Sequence, residues 1–167
     1  MSCSQSKTEI MVFHPKTSHH TTVLFKGTAL KQVAVKRALG IQLDQHLDFR
    51  AQVAEAKARS LSSLRKISVF SKEMGGASME VMLTLYQACI RPLMLLSYPV
   101  WCSASNTSMS QLESVQHQAL TKATNAMAHS NSSSLEVLCN IPPLDLVCQQ
   151  ILIQTFIQIA RHPDTYF

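Results

Sequence analysis

The apolar residues change their repeat near Asp48, and that change constrains the fold more than any other feature of the chain. Up to Asp44 the sequence offers only short β-branched, aliphatic or aromatic runs, at residues 10–13, 21–25, 33–35 and 39–43. Such runs predict strands, and Lys26-Gly27 between two of them predicts a turn, because glycine accepts a positive φ at little cost. From Asp48 onward the apolar positions recur at three and four. Val53, Ala56, Ser60, Leu64 and Ile67 fall on one face of a predicted helix, with Arg59, Arg65 and Lys66 pointing away and Asp48 as its expected N-cap. A chain of this kind is predicted to be α+β, a small antiparallel sheet followed by a mainly helical bundle, divided at residues 1–47 and 48–167.

Punctuation residues divide the helical part further. Gly75-Gly76 ends the first helix, and Ser78 with Glu80 opens a second whose stripe is Met82, Leu85, Tyr86, Cys89 and Ile90. Pro92 is expected to kink or end it. Residues 103–108 read as a polar loop before a capping box, Ser110-x-x-Glu113, and the apolar face Leu112, Val115, Ala119, Leu120 and Ala123. A second box, Ser133-x-x-Glu136, opens a short helix that Pro142-Pro143 must terminate. In the last helix Gln150, Gln154, Gln158 and Arg161 make a narrow polar stripe on an apolar rod, which predicts a helix mostly covered by neighbours.

Composition narrows the class. With 46% hydrophobic and 15% charged residues in 167, the chain has the material for a core, built mainly of aliphatic side chains on helices. The charge of +5 is unevenly spread: residues 1–91 carry +7 and residues 92–167 carry −2. A basic front and an acidic, apolar back suit an anionic partner on one side and protein contacts on the other. Five cysteines, Cys3, Cys89, Cys102, Cys139 and Cys148, form no Cys-x-x-Cys pair, so neither a disulfide framework nor a zinc ribbon is encoded. The opening residues lack the apolar run of a signal peptide, and residues 144–160 are interrupted by four glutamines. An intracellular location, nucleus or cytoplasm, and no membrane partner are expected.

Catalytic constellations are missing from the sequence. No two of the ten acidic residues are adjacent, so no paired carboxylates stand ready to hold two metal ions; Asp44 and Asp48 read as turn and N-cap residues. His19-His20, with Cys3 and His14 at a distance, lacks the ligand spacing of a zinc site. Gly75-Gly76 lacks the lysine of a phosphate-cradling loop, and no serine lies in a Gly-x-Ser-x-Gly elbow. No catalytic residue, metal or cofactor is assigned.

Five short motifs nevertheless follow one another in order. Lys7-Thr8-Glu9 opens an apolar strand, and Leu39-Gly40-Ile41-Gln42-Leu43-Asp44 comes next, with Ala38 before it. Then come Leu85-Tyr86 through Arg91-Pro92, Tyr98 to Trp101, and Leu112-Glu113-Ser114-Val115-Gln116 with Ala119-Leu120. In that order, over about residues 7–145, the chain resembles the part of a non-LTR (LINE-type, jockey-like) retrotransposon reverse transcriptase lying just downstream of its catalytic centre. The resemblance implies a palm edge at 1–47 and a thumb-like region at 48–167. It also implies a parent that performs RNA-directed DNA synthesis with Mg²⁺, whose Asp-Asp signature this chain lacks. The segment containing Gly40 would lie near the primer terminus, although Ala38 stands where the family often has an aromatic.

Leu85, Tyr86, Trp101 and Leu120 read as core. For phosphate contact the candidates are cations outside the apolar stripes: Lys7, Lys36, Arg37, Arg59, Arg65 and Lys66, with Gly40 added by the resemblance. The partners expected are a template–primer duplex of RNA and DNA, held weakly through its backbone, and the fingers and palm of the parent polymerase. The other reading is a decayed or co-opted helical interaction module with no nucleic-acid role.

Overall fold

The computed structural model describes residues 8–13, 22–25, 27–73 and 76–161. The fold is α+β, as the change of period predicts, but the strands do not join into one antiparallel sheet. They form three separate two-stranded pairs. β1 (Glu9–Ile10) runs parallel to β4 (Lys31–Gln32), while β2 (Leu24–Phe25) and β3 (Thr28–Ala29) make a hairpin turning at Gly27, φ +80°. The reason is the path of the chain. A hairpin inserted between β1 and β4 consumes the reversals that would have made them antiparallel, and the chain returns along β1 in the same direction. The expected strand at 21–25 begins in part outside the described residues.

The third pair is the one that matters for the rest of the molecule. β5 (Val35–Ala38) and β6 (Ile41–Asp44) are antiparallel in the register Val35↔Asp44 and Ala38↔Ile41. Their two-residue turn, Leu39-Gly40, has φ +50° and +86°, the paired positive values of a type I′ turn that matches strand twist. Gly40 takes this conformation freely. Leu39 does not, and its side chain stands fully in solvent.

At the far end of β6, Asp44 joins the strands to the helices. Its carboxylate accepts the backbone N–H of Asp48 at 3.0 Å and of Phe49 at 2.8 Å, stabilising a turn in which Leu47 and Phe49 both have positive φ. Phe49 is thereby aimed into the core. Helix α1 (Arg50–Glu73) starts directly after it. The cap expected of Asp48 is thus supplied by Asp44, because Asp48 is exposed and contributes only its N–H to that turn.

Helix α1 buries Val53, Ala56, Ser60, Leu64 and Ile67, the face its periodicity predicts. It packs on α3 (Arg91–Leu95) and α4 (Asn106–Thr124). Helix α2 (Met79–Leu85), N-capped by Ser78, runs into α3 through a wide π turn at Tyr86–Ile90. That turn corrects two expectations. The π turn takes more residues to go round once than an α-helical turn, so the buried stripe becomes Met82, Tyr86, Ile90 and Met94, and Cys89 is exposed. Pro92 does not end the helix either. It sits in the first turn of α3, where a missing N–H costs little, and Arg91 N–H bonds to Tyr86 C=O five residues back. The segment Met79–Val100 is long and apolar enough to cross a membrane by length and composition. Here its buried side chains are the core beneath α1 and α4.

The polar loop expected at 103–108 ends at Ser105, and its second half is already helix. Ser105 caps α4 by accepting Ser108 N–H at 3.3 Å, five residues before the predicted cap Ser110, and Ser110 bonds back to Thr107 C=O inside the helix. Likewise Asn131, not Ser133, caps α5 (Ser132–Cys139). Both predicted boxes lose because a better-placed cap lies a few residues upstream. Asn140, φ +51°, closes α5 before Pro142 is reached. Glu136 is then free to meet Gln116, whose amide donates to it at 2.8 Å and to Pro142 C=O at 3.3 Å, while Tyr86 Oη donates to Gln116 Oε1 at 2.6 Å. This buried relay ties α2, α4 and α5 together. Burial pushes the Tyr86 phenol well above its ordinary pKa, so it stays a donor.

Trp101 completes the core. It is fully buried, donates Nε1–H to Leu96 C=O at 2.8 Å and meets Tyr98 edge to face with centroids 4.9 Å apart. Helix α6 (Leu144–Arg161) packs on this corner through Leu144 and Cys148 only, with Val147, Ile151 and Leu152 partly covered. It is not mostly covered: Leu146, Ile153, Phe156 and Ile157 are exposed.

Candidate nucleic-acid interface

Two elements position the predicted cations. Strand β5 alternates its side chains, placing Lys36 and Arg37 on opposite faces near the Leu39-Gly40 tip. Helix α1 carries Arg59, Arg65 and Lys66 on its outer side. The last two lie about 9 Å beyond Arg59 along the axis, from the helical rise. Lys7 lies outside the described residues.

These residues divide by what they touch. Lys36 pairs with Glu9, a carboxylate held below its ordinary pKa chiefly by the hydrogen bond from Lys36. Arg37 reaches Glu55 Oε1 at 3.4 Å, and Arg59 bonds the same oxygen from one turn along the helix. Hairpin and helix are thus fastened by Glu55 between two guanidinium groups. Three of the predicted contacts are therefore structural partners first, because each has an acid of this chain within reach. Arg59, expected to point away, is half-buried by the same pairing.

Arg65 and Lys66 differ. Both are exposed, and neither has an ion pair among the described residues. A phosphate would meet them without displacing anything. Gly40 lies open at the hairpin tip, with no heavy atom within 4 Å of where a Cβ would stand. The motif around it has a structural explanation residue by residue. Ile41 is buried, Gln42 N–H bonds to the buried Gln52 side chain at 2.9 Å, Leu43 packs on the core, and Asp44 caps the turn into α1.

The back of the molecule carries a groove that sequence reasoning missed. Its volume is about 590 Å³, and it lies between α4, α5 and the start of α6, with Glu113, Glu136 and Asp145 in its walls. The sequence signal for it is Glu113 and Glu136, which their spacing from Ser110 and Ser133 assigns to capping boxes. His117 lies there too, with Nδ1 3.1 Å from Ser132 Oγ and Nε2 3.2 Å from Ala128 C=O. A hydrogen on Nε2 satisfies the carbonyl and leaves Nδ1 to accept from the serine. The surrounding carboxylates would oppose the negative charge of an acyl-transfer intermediate, so the pair is a structural tie between α4 and α5. Among the described residues, no three His, Cys, Asp or Glu side chains converge as metal ligands.

Comparison with known proteins bears on this arrangement. No family model and no solved structure matches the chain. Over 153 residues, 90% of its length, the chain is 28% identical to a 115 kDa protein in the type-1 retrotransposable element R1DM of Drosophila melanogaster. It spans 15% of the length of that relative. The chain is therefore related to a retrotransposable-element protein.

Proposed function

We propose that this chain is the C-terminal palm-edge and thumb part of a non-LTR retrotransposon RNA-directed DNA polymerase, and that it supports the template–primer duplex without performing chemistry. The observation that carries this reading is the order of the five motifs between Lys7 and Leu120. The similarity to a retrotransposable-element protein over nine-tenths of the chain supports it. The parent enzyme would use Mg²⁺ held by adjacent carboxylates supplied from its palm. The sequence here has no such pair, and purified chain is expected to give no metal-dependent primer extension.

Arg65 and Lys66 are the residues assigned to the phosphate backbone, because they alone of the described candidates carry charge not already met by an acid. Lys36, Arg37 and Arg59 join only if a phosphate replaces Glu9 or Glu55. Gly40 lets the backbone of the hairpin tip come close. Two free cations predict weak binding whose logarithm falls with the logarithm of salt at a slope of about −2. Fluorescence anisotropy with a labelled RNA/DNA duplex measures this. Arg65→Glu with Lys66→Glu should abolish binding, and affinity that survives the pair, or ignores salt, overturns the assignment.

The exposed apolar face of α6 favours a second reading, a co-opted interaction module. Salt-insensitive association in the absence of any affinity for duplex would select it.

A further inference from the structure

A groove of about 450 Å³ lies between α6 and α3 with the π turn before it, and the duplex reading does not use it. Leu95, Val147 and Ile151 make its apolar floor. Its long polar side chains come in two pairs, each about one helical turn apart: Gln87 and Arg91 on one wall, Gln150 and Gln154 on the other. Arg91 belongs to the Arg91-Pro92 motif, and it is half-buried with no ion pair among the described residues. No other charged residue lines the groove among those described.

Spacing and chemistry together say what fits. Gln150 and Gln154 stand about 6 Å apart along the axis of α6, four residues at the helical rise. Alternate residues of an extended chain are about 6.6 Å apart, and their N–H and C=O groups point to the same edge. A glutamine amide carries both donors and an acceptor, so two of them one turn apart can bond an extended backbone at alternate residues. The three glutamine side chains have no hydrogen-bond partner among the described residues, so nothing must be displaced. A guanidinium that faces no acid calls for a carboxylate, which it grips with two parallel hydrogen bonds. A single strand of nucleic acid fits less well, because such strands are held by rows of cations and by stacked aromatics, and the lining residues include one cation and no aromatic.

The geometry points to an extended peptide of a partner protein as the occupant, with an acidic side chain for Arg91, aliphatic side chains for the floor, and a backbone bonded by Gln150 and Gln154. The groove takes only a few residues, so the complex should be weak, with half-saturation on the order of 100 μM. This contact is separate from the duplex binding assigned to Arg65 and Lys66 and does not rest on it.

Fluorescence anisotropy of the full chain with a fluorescein-labelled hexapeptide of alternating leucine and glutamate tests it, with circular dichroism to confirm that each variant keeps its helices. The peptide should bind, and its counterpart with lysine in place of glutamate should not. Arg91→Glu should reverse that preference and weaken binding of the glutamate peptide by more than about tenfold. Gln154→Ala, at an exposed position, should weaken it severalfold, and N-methylation of the peptide's backbone amides should do the same by removing the donors that the glutamines accept. Wild type that ignores the glutamate peptide, equal binding of both peptides, or binding indifferent to Gln154→Ala would each overturn the proposal. So would a labelled oligodeoxythymidylate that displaces the peptide and is itself lost with Arg91→Glu.

Discussion

The strand region up to Asp44 and the helical region from Arg50 reach stability by different means. In the first, six short strands make three pairs, β5 is exposed along its length, and the long-range ties are the ion pairs of Glu9 and Glu55 with basic residues. In the second, Trp101, Tyr86, Ile90, Met94, Leu112 and Leu120 are fully buried, and the Tyr86 hydroxyl and Trp101 Nε1–H both have hydrogen-bond partners. Surface ion pairs contribute little, whereas each buried aromatic or aliphatic side chain contributes several times more. The strands therefore lean on the helices, through Phe49, Ile41 and the Asp44 turn. Charges in the strand region are placed where they can exchange one partner for another at low cost.

Mutations should divide along that line. Trp101→Ala should cost about 3–5 kcal/mol in urea unfolding, enough to threaten the whole chain. Gln116→Leu should cost about 2–3 kcal/mol by stranding the Tyr86 hydroxyl and Glu136, and adding Tyr86→Phe should recover part of that loss. A double variant no better than the single would mean that the relay is not what joins the three helices.

Alkali should probe the helical region selectively. Burial raises the Cys148 thiol from 9.0 to about 11, and the Tyr98 hydroxyl that hydrogen-bonds it from 10.0 to about 12. Both are neutral when protonated, so the folded state holds these protons more tightly than the unfolded chain does. Their contribution is complete below pH 9 and is lost as pH rises, for Cys148 between 9.0 and 11. Cys148→Ala should flatten the pH dependence of the unfolding midpoint over that interval. The strand region, whose half-buried Glu9 is held below its ordinary carboxylate pKa by Lys36, should add no comparable slope in alkali.

Smaller effects are expected at the junction and the tip. Asp44→Ala should cost about 1–2 kcal/mol, because two N–H groups lose their acceptor at the entry to α1. Leu39→Asn should stabilise by about 1 kcal/mol, since asparagine tolerates a positive φ better than leucine does. If Leu39→Asn instead destabilised the chain, the exposed leucine would have to make a contact that this fold does not contain.

Much of this architecture was legible in advance where the signal was local. The buried face of α1 and that of α4 follow from spacing, and the reading of Tyr86, Trp101 and Leu120 as core agrees with their burial. Helix starts were less legible, because Ser105 and Asn131 compete with equally plausible serines downstream and the winner depends on where the preceding loop arrives. The register shift at Tyr86–Ile90 had only Pro92 as its signal. Of the predicted phosphate contacts, Arg59 could have been set apart, because Glu55 stands four residues before it on the helix and Leu61 stands four before Arg65; the reach of Arg37 to the same Glu55 has no such local signal.

Sequence alone determined the change from strands to helices, the turn at Gly27 and the lack of adjacent carboxylates, because each depends on residues within a turn or two of one another. Residues 39 and 40, expected in a strand, instead form the turn between β5 and β6. Tertiary structure decided that β1 and β4 run parallel, that Glu9 and Glu55 take Lys36 and Arg37, and that one face of α6 stays bare. Those outcomes depend on which distant segments the chain path brings together, across 27 residues for Glu9 and Lys36. No local periodicity carries that information.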